Sequence, residues 1–305
     1  MNSKKITLTL LVFLCTTLLF AVDKKQFSSS ISLKTPGNPA ISYELKEKGN
    51  ALVASQELPV TISRVQNGDK LTVTITAKDN IYFNFKQKIH SEFNHDDCQF
   101  YMPGFWYRRN LRSPKEAPSF HTSDSWTVRE DRLSTPMTSI FNEKNGNYIS
   151  VIRIDDFKYE ALTTHKEGEV ILSGKTSLGY TGFENMNGNA TLSFGFPYQE
   201  TPKTYIRKLT LAPSIEAFQF LAKGESIVLV WKINSGNATD FSDFIKQMWE
   251  YSYDTNKPQP VETGFSDDFV KETLTNFFRE SFVSDYPLKF NSGEALEVAT
   301  CESVA

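Results

Sequence analysis

The stretch VTISRVQNGDKLTVTITA, Val60–Ala77, carries the clearest structural signal in the chain. Apolar residues alternate with threonine from Leu71 to Thr76, and this period of two is typical of a strand with one buried face. Asn67-Gly68 separates that run from the one that begins at Val60, and Asn-Gly in this position is a strong hairpin signal. The stretch therefore predicts two antiparallel strands joined by a tight turn.

Similar segments follow along the chain. They are short and rich in β-branched and aromatic residues, and Gly, Asn and Pro stand between them. We therefore expect an antiparallel β-sandwich over residues 22–236. Within its last strand, Ile227–Trp231 is apolar without interruption, which predicts that both faces of this strand are covered. The further predicted strands are Ile81–Lys86, Tyr148–Ile154, Glu169–Ser173, Ala190–Phe196, Tyr205–Leu211, Ala217–Leu221 and Ser226–Ile233.

Beyond the sandwich, the apolar residues recur at helical spacing. Thr239 or Asp240 can cap a first helix, Pro258 and Pro260 forbid a helix around them, and a second helix is expected from near Ser266. The apolar positions are Phe241, Phe244, Ile245, Met248 and Trp249 in the first helix, and Phe269, Val270, Leu274, Phe277, Phe278 and Phe282 in the second.

Residues 1–21 have the composition of a secretory signal. Two lysines precede the apolar run Ile6–Phe20, and Ala21 offers a small residue for cleavage. Leu14 precedes Cys15, where a bacterial lipoprotein signal prefers Gly, Ala or Ser, so we favour a cleaved signal over a lipid anchor. We expect a periplasmic or secreted protein with no transmembrane span after cleavage, because the apolar run is short for a membrane helix.

Residues 237–265 are expected to form a helical linker, and residues 266–305 the start of an incomplete α-helical domain. One aromatic amphipathic helix with a short extension cannot bury its own apolar stripe. Tyr286–Ala305 shows no closing helix, cap or polar tail. We therefore expect the chain to be the N-terminal region of a longer protein, whose missing C-terminal helical domain would be its partner.

Two cysteines remain after signal cleavage, Cys98 and Cys301. An exported protein meets an oxidising compartment, in which the two could pair. Two widely spaced cysteines do not make a disulfide framework, so we favour two separate buried thiols.

Charge and motifs exclude several classes of protein. A formal charge of -3 with both signs interspersed gives no nucleic-acid footprint. No P-loop, dinucleotide fingerprint or nucleophilic triad appears, so no cofactor is predicted and the catalytic residues stay unknown. His95-Asp96-Asp97-Cys98 contains metal-ligating residue types, but neighbours on a strand point to opposite faces, and no metal site is predicted.

The segment Phe100–Arg132 sets aromatic rings among arginines, prolines and acidic residues. A ring face can pack against the C–H face of a pyranose, and a guanidinium donates paired hydrogen bonds to hydroxyls or to a uronate. The candidate sugar-binding residues are Trp106, Tyr107, Arg108, Arg109, Asp124, Trp126 and Arg129.

A structural interpretation of the same segment stays open. Trp106–Arg109 can form a plug against a following domain, and Asp124–Arg132 a surface turn with local ion pairs. Without that domain, an exposed cluster of Phe105, Trp106 and Tyr107 is expected.

The order of these segments resembles that of Bacteroidetes-type two-domain glycan-degrading enzymes. The resemblance rests on the signal, the strands to Ile233, the helix Asp240–Tyr253, the proline linker, the helix Phe269–Phe282 and the MPGFWYRRN run at Met102–Asn110. It implies a β-sandwich, or supersandwich, that leads through a linker helix into an (α/α)6 barrel carrying the catalytic carboxylates.

The resemblance covers the mature chain at the level of architecture and points to no single family. It implies an exported carbohydrate-active enzyme, a glycoside hydrolase rather than a polysaccharide lyase, with a poly- or oligosaccharide as ligand. With the barrel mostly absent, no catalytic residue is carried over, and the 305 residues alone are expected to be inactive. The alternative is a non-catalytic carbohydrate-binding or surface-glycan protein whose sandwich binds sugar through Trp106 and Trp126.

Overall fold

The computed structural model describes residues 27–110, 118–154, 166–202, 204–207, 210–212, 214–259 and 262–281. These residues are mainly β, as predicted, with nineteen strands and two α-helices in the described part of the chain. The strands are β1 Phe27–Lys34, β2 Ile41–Lys48, β3 Ala51–Val53, β4 Val60–Asn67, β5 Lys70–Ala77, β6 Ile81–Asn94, β7 Cys98–Met102, β8 Trp106–Arg108, β9 Trp126–Arg129, β10 Met137–Asn142, β11 Asn147–Arg153, β12 Gly168–Ile171, β13 Tyr180–Met186, β14 Asn189–Phe196, β15 Gln199–Glu200, β16 Thr204–Arg207, β17 Thr210–Ala212, β18 Ile215–Leu221 and β19 Ser226–Asn237. The helices are α1 Phe241–Asn256 and α2 Asp267–Ser281.

The strands pair in two antiparallel groups. Layer A runs in the order β9-β13-β14-β6-β1-β2, and layer B in the order β8-β7-β10-β11-β19-β5-β4-β3-β2. The predicted hairpin is confirmed, with Val60 opposite Ala77 and Asn67 opposite Lys70. Strand β2 pairs with β1 and with β3, and so it connects the two layers.

One apolar core joins the two layers. The ring of Phe183 in layer A stacks on Phe100 in layer B at 4.0 Å between centroids, and Phe194 meets Trp231 edge-on at 5.1 Å. All four side chains are buried. Because each layer packs its apolar side against the other, this region has the two-layer arrangement of a β-sandwich.

Helix α1 forms an additional layer on the outside of layer B. Its N-terminus is capped by Asp240, whose Oδ1 accepts the backbone N–H groups of Ser242 and Asp243. Phe244 and Met248 are buried against side chains of β7, β10 and β11. The predicted linker helix therefore belongs to the compact unit formed by residues 1–256.

Two sequence expectations need correction. The run Ile227–Trp231 is not covered on both faces, because α1 lies over β10 and β11 and leaves Val228 46% exposed. The segment predicted as one strand, Tyr205–Leu211, contains two strands, β16 and β17, which pair antiparallel with Thr204 opposite Ala212 and Tyr205 opposite Leu211.

A smaller apolar cluster lies at the outer side of layer A. Strand β12 pairs in parallel with β18, and β15 pairs with β18 in the antiparallel sense. Val170 of β12 and Ile215 and Ala217 of β18 pack with Tyr180 and Tyr198, both of which are buried. This cluster covers one end of the outward face of layer A.

The second compact unit comprises residues 257–305. Helix α2 begins where the sequence predicts, next to Ser266, whose Oγ accepts the backbone N–H of Phe269. The α-helical barrel predicted for this region stays a prediction. Phe282 and Cys301 lie outside the described residues, as does the proposed signal sequence.

Candidate functional site

Trp106 and Trp126, the two tryptophans proposed to bind sugar, are buried in the sandwich. The ring of Trp106 lies 5.5 Å from Trp126 and 5.0 Å from Phe183 between centroids, and Phe120 lies 5.6 Å away. Neither tryptophan exposes more than 1% of its surface. Neither ring therefore offers a face to a pyranose.

Backbone carbonyls satisfy both indole nitrogens. Trp106 Nε1 donates to the carbonyl of Arg108 at 2.8 Å, and Trp126 Nε1 donates to the carbonyl of Ser123 at 2.8 Å. A buried indole needs such a partner, so these contacts indicate a structural role. The expected exposed cluster is wrong for Trp106 and holds only for Tyr107, which is 50% exposed beside a half-buried Phe105.

Arg108 and Arg109 contact protein groups. Arg108 adopts φ 58°, and its guanidinium lies 4.5 Å from the ring centroid of Phe241 and 3.5 Å from Glu143. Arg109 donates to the carbonyls of Asp96 and Cys98. These contacts tie the β7–β8 hairpin to the start of α1 and to the turn before β7.

Asp124 and Arg129 likewise make local contacts. The Asp124 carboxylate accepts from Asn185 Nδ2 at 2.8 Å, and its carbonyl lies 3.0 Å from Nε2 of His95. Arg129 forms a bidentate pair with Asp131 at 2.9 and 3.1 Å and lies over the ring of Tyr198. The local ion pairs expected for this segment are therefore present.

The same segment also contributes two more deeply buried ion pairs. Glu130 Oε2 accepts from Arg153 Nη1 at 2.6 Å and from the backbone N–H of Gly179 at 2.8 Å. Arg132 binds the carboxylate of Glu200 through two nitrogens. Because these charges are enclosed and partnered, they hold the start of β13 and β15 to the end of β9.

Burial raises the pKa of the Cys98 thiol to about 12, which keeps the thiol protonated. Its Sγ lies 3.2 Å from the carbonyl of Asn94. This agrees with the favoured interpretation for Cys98; the described part of the chain does not test pairing with Cys301.

A second set of polar residues was not identified from the sequence. It occupies the outward face of layer A and is called here the polar face: Lys86, Lys88, His90, Tyr180, Glu184 and Glu216. The strand pairing brings these residues together: Lys86 of β6 and Tyr180 of β13 both lie opposite Gly195 of β14. One signal in the sequence could have indicated this face: in β6, every second residue from Tyr82 to His90 is polar.

Ion pairs cross between strands on the polar face. Lys88 Nζ lies 2.6 Å from Glu184 Oε2, although β14 separates their strands, because only Ser193 and Thr191 stand between them. Lys86 Nζ lies 3.0 Å from Glu216 Oε1. The Lys88 and Glu184 side chains are only 25% and 23% exposed, so the pair is recessed.

His90 and Tyr180 flank these pairs. His90 Nε2 lies 2.8 Å from the Ser28 hydroxyl, and burial together with the Lys88 charge lowers the pKa of His90. Tyr180 is buried over Gly195, where a Cβ would come within 2.7 Å of its ring, and burial raises the pKa of its phenol well above the usual range. Both groups are therefore uncharged at neutral pH.

Comparison with known proteins identifies no family. No family model and no curated protein matches the sequence. Solved structures with some similarity include a polysaccharide lyase (TM-score 0.28, 11% identity, 74% of this chain and 27% of that one). A proposed kojibiose phosphorylase from the human microbiome has a TM-score of 0.28 and 8% identity over 82% of this chain and 27% of that one. A galactose mutarotase-like protein from Clostridium acetobutylicum has a TM-score of 0.27 and 10% identity over 69% of this chain and 62% of that one.

All three descriptions name carbohydrates or carbohydrate enzymes, but these scores establish no shared family. The chain spans 27% of the length of each of the first two structures. Within the described ranges, no helix is long and apolar enough to cross a membrane, and no cluster of acidic, histidine and cysteine side chains is placed to hold a metal ion.

Proposed function

We propose that the chain is the N-terminal sandwich and helical linker of an exported carbohydrate-active enzyme. The enzyme is a glycoside hydrolase whose catalytic carboxylates lie on a helical domain that follows. In this proposal the 305 residues support that domain and have no turnover alone.

The observation that carries the proposal is that α1 has two aromatic faces. Phe244 and Met248 are buried on layer B, whereas Trp249 and Tyr253 point away from it and are 63% and 53% exposed. The two exposed rings stack on each other with 5.9 Å between centroids and 14° between planes. Exposed aromatic patches of this kind mark interaction surfaces, so the second face of α1 suits a contact with another domain.

The β7–β8 hairpin extends this argument. Tyr107 is exposed and lies 5.3 Å from Tyr101, which in turn meets Phe244 edge-on. Arg108 lies over Phe241 at the start of α1. These contacts favour the interface interpretation of residues 106–109 over a sugar-binding loop.

Helix α2 supplies separate support within its own unit. Phe269, Val270 and Leu274 are 52%, 42% and 50% exposed, and Phe269 stacks on Phe265 with 5.2 Å between ring centroids. An amphipathic helix of 15 residues needs a packing partner to be stable. The exposed stripe suits the first helix of a larger helical domain.

Expression of the longest natural reading frame that contains residues 1–305 tests the proposal. Its product and residues 22–305 are assayed for release of reducing ends from neutral and acidic polysaccharides, and for unsaturated ends that only a lyase forms. The longer protein should release saturated reducing ends, and residues 22–305 should release none. A reading frame that stops at Ala305, hydrolysis by residues 22–305, or no cleavage by the longer protein would each contradict the proposal.

A paired stability measurement tests the docking step. The double variant Trp249→Ser/Tyr253→Ser should leave the melting temperature of residues 22–305 unchanged and lower that of the longer protein. Ile41→Ser, at an exposed residue of β2, is the control and should affect neither protein. If the double variant changes the melting temperature of both proteins equally, the exposed face of α1 is not covered by a further domain.

A further inference from the structure

We propose that Arg108 is an anchor of the interface between the sandwich and the helical domain that follows it, and that its guanidinium binds a carboxylate of that domain. The inference rests on the proposed function and deepens it, because it names the chemistry of one contact on the docking surface. Arg108 lies at the end of β8, over the first residue of α1.

The first observation is that the Arg108 guanidinium is exposed and weakly paired. Its contact with Glu143, from Nη1 at 3.5 Å, is at the outer limit of a hydrogen bond, and Gln99 donates to the other oxygen of that carboxylate at 2.9 Å. Among the described residues, Nε and Nη2 of Arg108 donate no hydrogen bond, so the edge that forms bidentate pairs is unused. The Arg108 side chain is 55% exposed, and four other arginines that form ion pairs are at most 17% exposed: Arg64, Arg129, Arg132 and Arg153.

The second observation is the backbone of Arg108, which has φ 58°. The N–H of Asn110 donates to the carbonyl of Tyr107 at 3.1 Å, so residues 107–110 form a β-turn with Arg108 at its first central position. Arg109, the other central residue, has no positive φ. These signs of φ match a type II′ turn, which takes glycine where Arg108 stands. An unfavourable backbone conformation at an exposed residue points to a function for its side chain.

Contacts within the fold hold this turn and fix the direction of the guanidinium. Trp106 Nε1 donates to the carbonyl of Arg108 at 2.8 Å, and Oδ1 of Asn110 accepts the N–H of Tyr107 at 3.0 Å. The guanidinium itself lies 4.5 Å from the ring centroid of Phe241. A planar guanidinium that is already oriented loses little freedom on binding, and its fork matches the two oxygens of a carboxylate.

The position of Arg108 selects the following domain as the partner. Phe241, beneath the guanidinium, is the first residue of α1, and the proposed function assigns the exposed rings of Trp249 and Tyr253 on this helix to that domain. Tyr107, the residue before Arg108, is half exposed as well. A domain that covers this surface removes water from the guanidinium, and a buried charge needs a partner of opposite sign. An aspartate or glutamate of that domain meets this need.

Melting temperatures of residues 22–305 and of the longer protein test the contact. Arg108→Gly removes the guanidinium and relieves the backbone, because glycine adopts a positive φ freely. It should leave the melting temperature of residues 22–305 unchanged or raise it, and lower that of the longer protein by about 2 °C or more. Arg108→Lys keeps the charge without the planar fork, and should also lower the melting temperature of the longer protein alone. Asn187→Gly is the matched control, because Asn187 is an exposed residue with φ 54° in another turn, and it should affect both proteins alike.

The results separate this contact from a structural role and from a saccharide site. The inference is overturned if Arg108→Gly lowers both melting temperatures equally, if it changes neither, or if hexagalacturonate raises the melting temperature of residues 22–305 and Arg108→Gly abolishes this rise. If Trp249→Ser/Tyr253→Ser destabilises the longer protein and Arg108→Gly does not, the docking stands and this contact does not. If the longer protein cleaves no polysaccharide but Arg108→Gly destabilises it selectively, the contact stands and the proposed hydrolase does not. A reading frame that stops at Ala305 overturns both.

Discussion

Replacing Trp106 with alanine should destabilise the protein rather than selectively abolish a sugar contact. The side chain is fully buried among three aromatic rings, and its indole nitrogen donates at 2.8 Å to the carbonyl of Arg108. Truncation of a buried tryptophan costs about 3–5 kcal/mol, and the lost hydrogen bond adds about 1 kcal/mol. For a domain of this size, each kcal/mol lowers the melting temperature by about 2–4 °C. The expected total of about 4–6 kcal/mol therefore corresponds to a loss of about 8–24 °C.

Thermal unfolding followed by circular dichroism measures this loss, and Tyr107→Ala is the adjacent control. Because Tyr107 is half exposed, its truncation should cost less than about 1 kcal/mol, or under about 4 °C. Affinity electrophoresis against polysaccharides is run on the same two variants. The reasoning would be refuted if Trp106→Ala melts within about 4 °C of the parent and loses retardation by a polysaccharide, since the ring would then be accessible to ligand.

Three further measurements test the contacts described above. Glu130→Ala should cost about 3–5 kcal/mol, because it removes the carboxylate that neutralises the buried Arg153 guanidinium. A change below about 1 kcal/mol in urea unfolding would show that water replaces the carboxylate. Phe244→Ala should lower the free energy of unfolding by a similar amount, about 3–5 kcal/mol, because it removes a buried contact between α1 and layer B. Trp249→Ser, at an exposed position of the same helix, should change it by no more than about 0.5 kcal/mol. Equal losses of stability in the two variants would mean that α1 does not pack as described. Folding lowers the pKa of His90, so on acidification the unfolded chain binds the proton before the folded protein does. The free energy of unfolding should therefore be full above about pH 6.5 and decline below it, less steeply in His90→Gln. An identical decline in both proteins would exclude His90 as the cause.

The local signals of the sequence predicted the parts of the fold that depend on neighbouring residues. Asn67-Gly68 marks the turn of the β4–β5 hairpin, and the threonine alternation matches the side of β5 that faces away from the core. The cap at Asp240 and the start of α2 next to Ser266 were also recognisable, because helix ends are set by the few residues around them. These features need no knowledge of which distant strands meet.

The polar face could not be predicted in the same way. Lys88 and Glu184 are 96 positions apart, and they meet only because β14 places two short side chains between their strands. A one-residue shift in either pairing would turn one partner into the core. The sequence shows the polar alternation of β6, but it does not show which strands β6 will join.

The burial of Trp106 shows why composition misled the search for a site. Tryptophan beside arginine and proline is typical of a sugar-binding loop, and it is equally typical of an interface or of a corner of the core. These cases differ in whether the ring is accessible to a ligand or covered by protein side chains. The Trp106 ring is covered by Phe120, Trp126 and Phe183. A saccharide needs groups whose hydrogen-bonding capacity is not yet used. Both indole nitrogens have instead used theirs on backbone carbonyls.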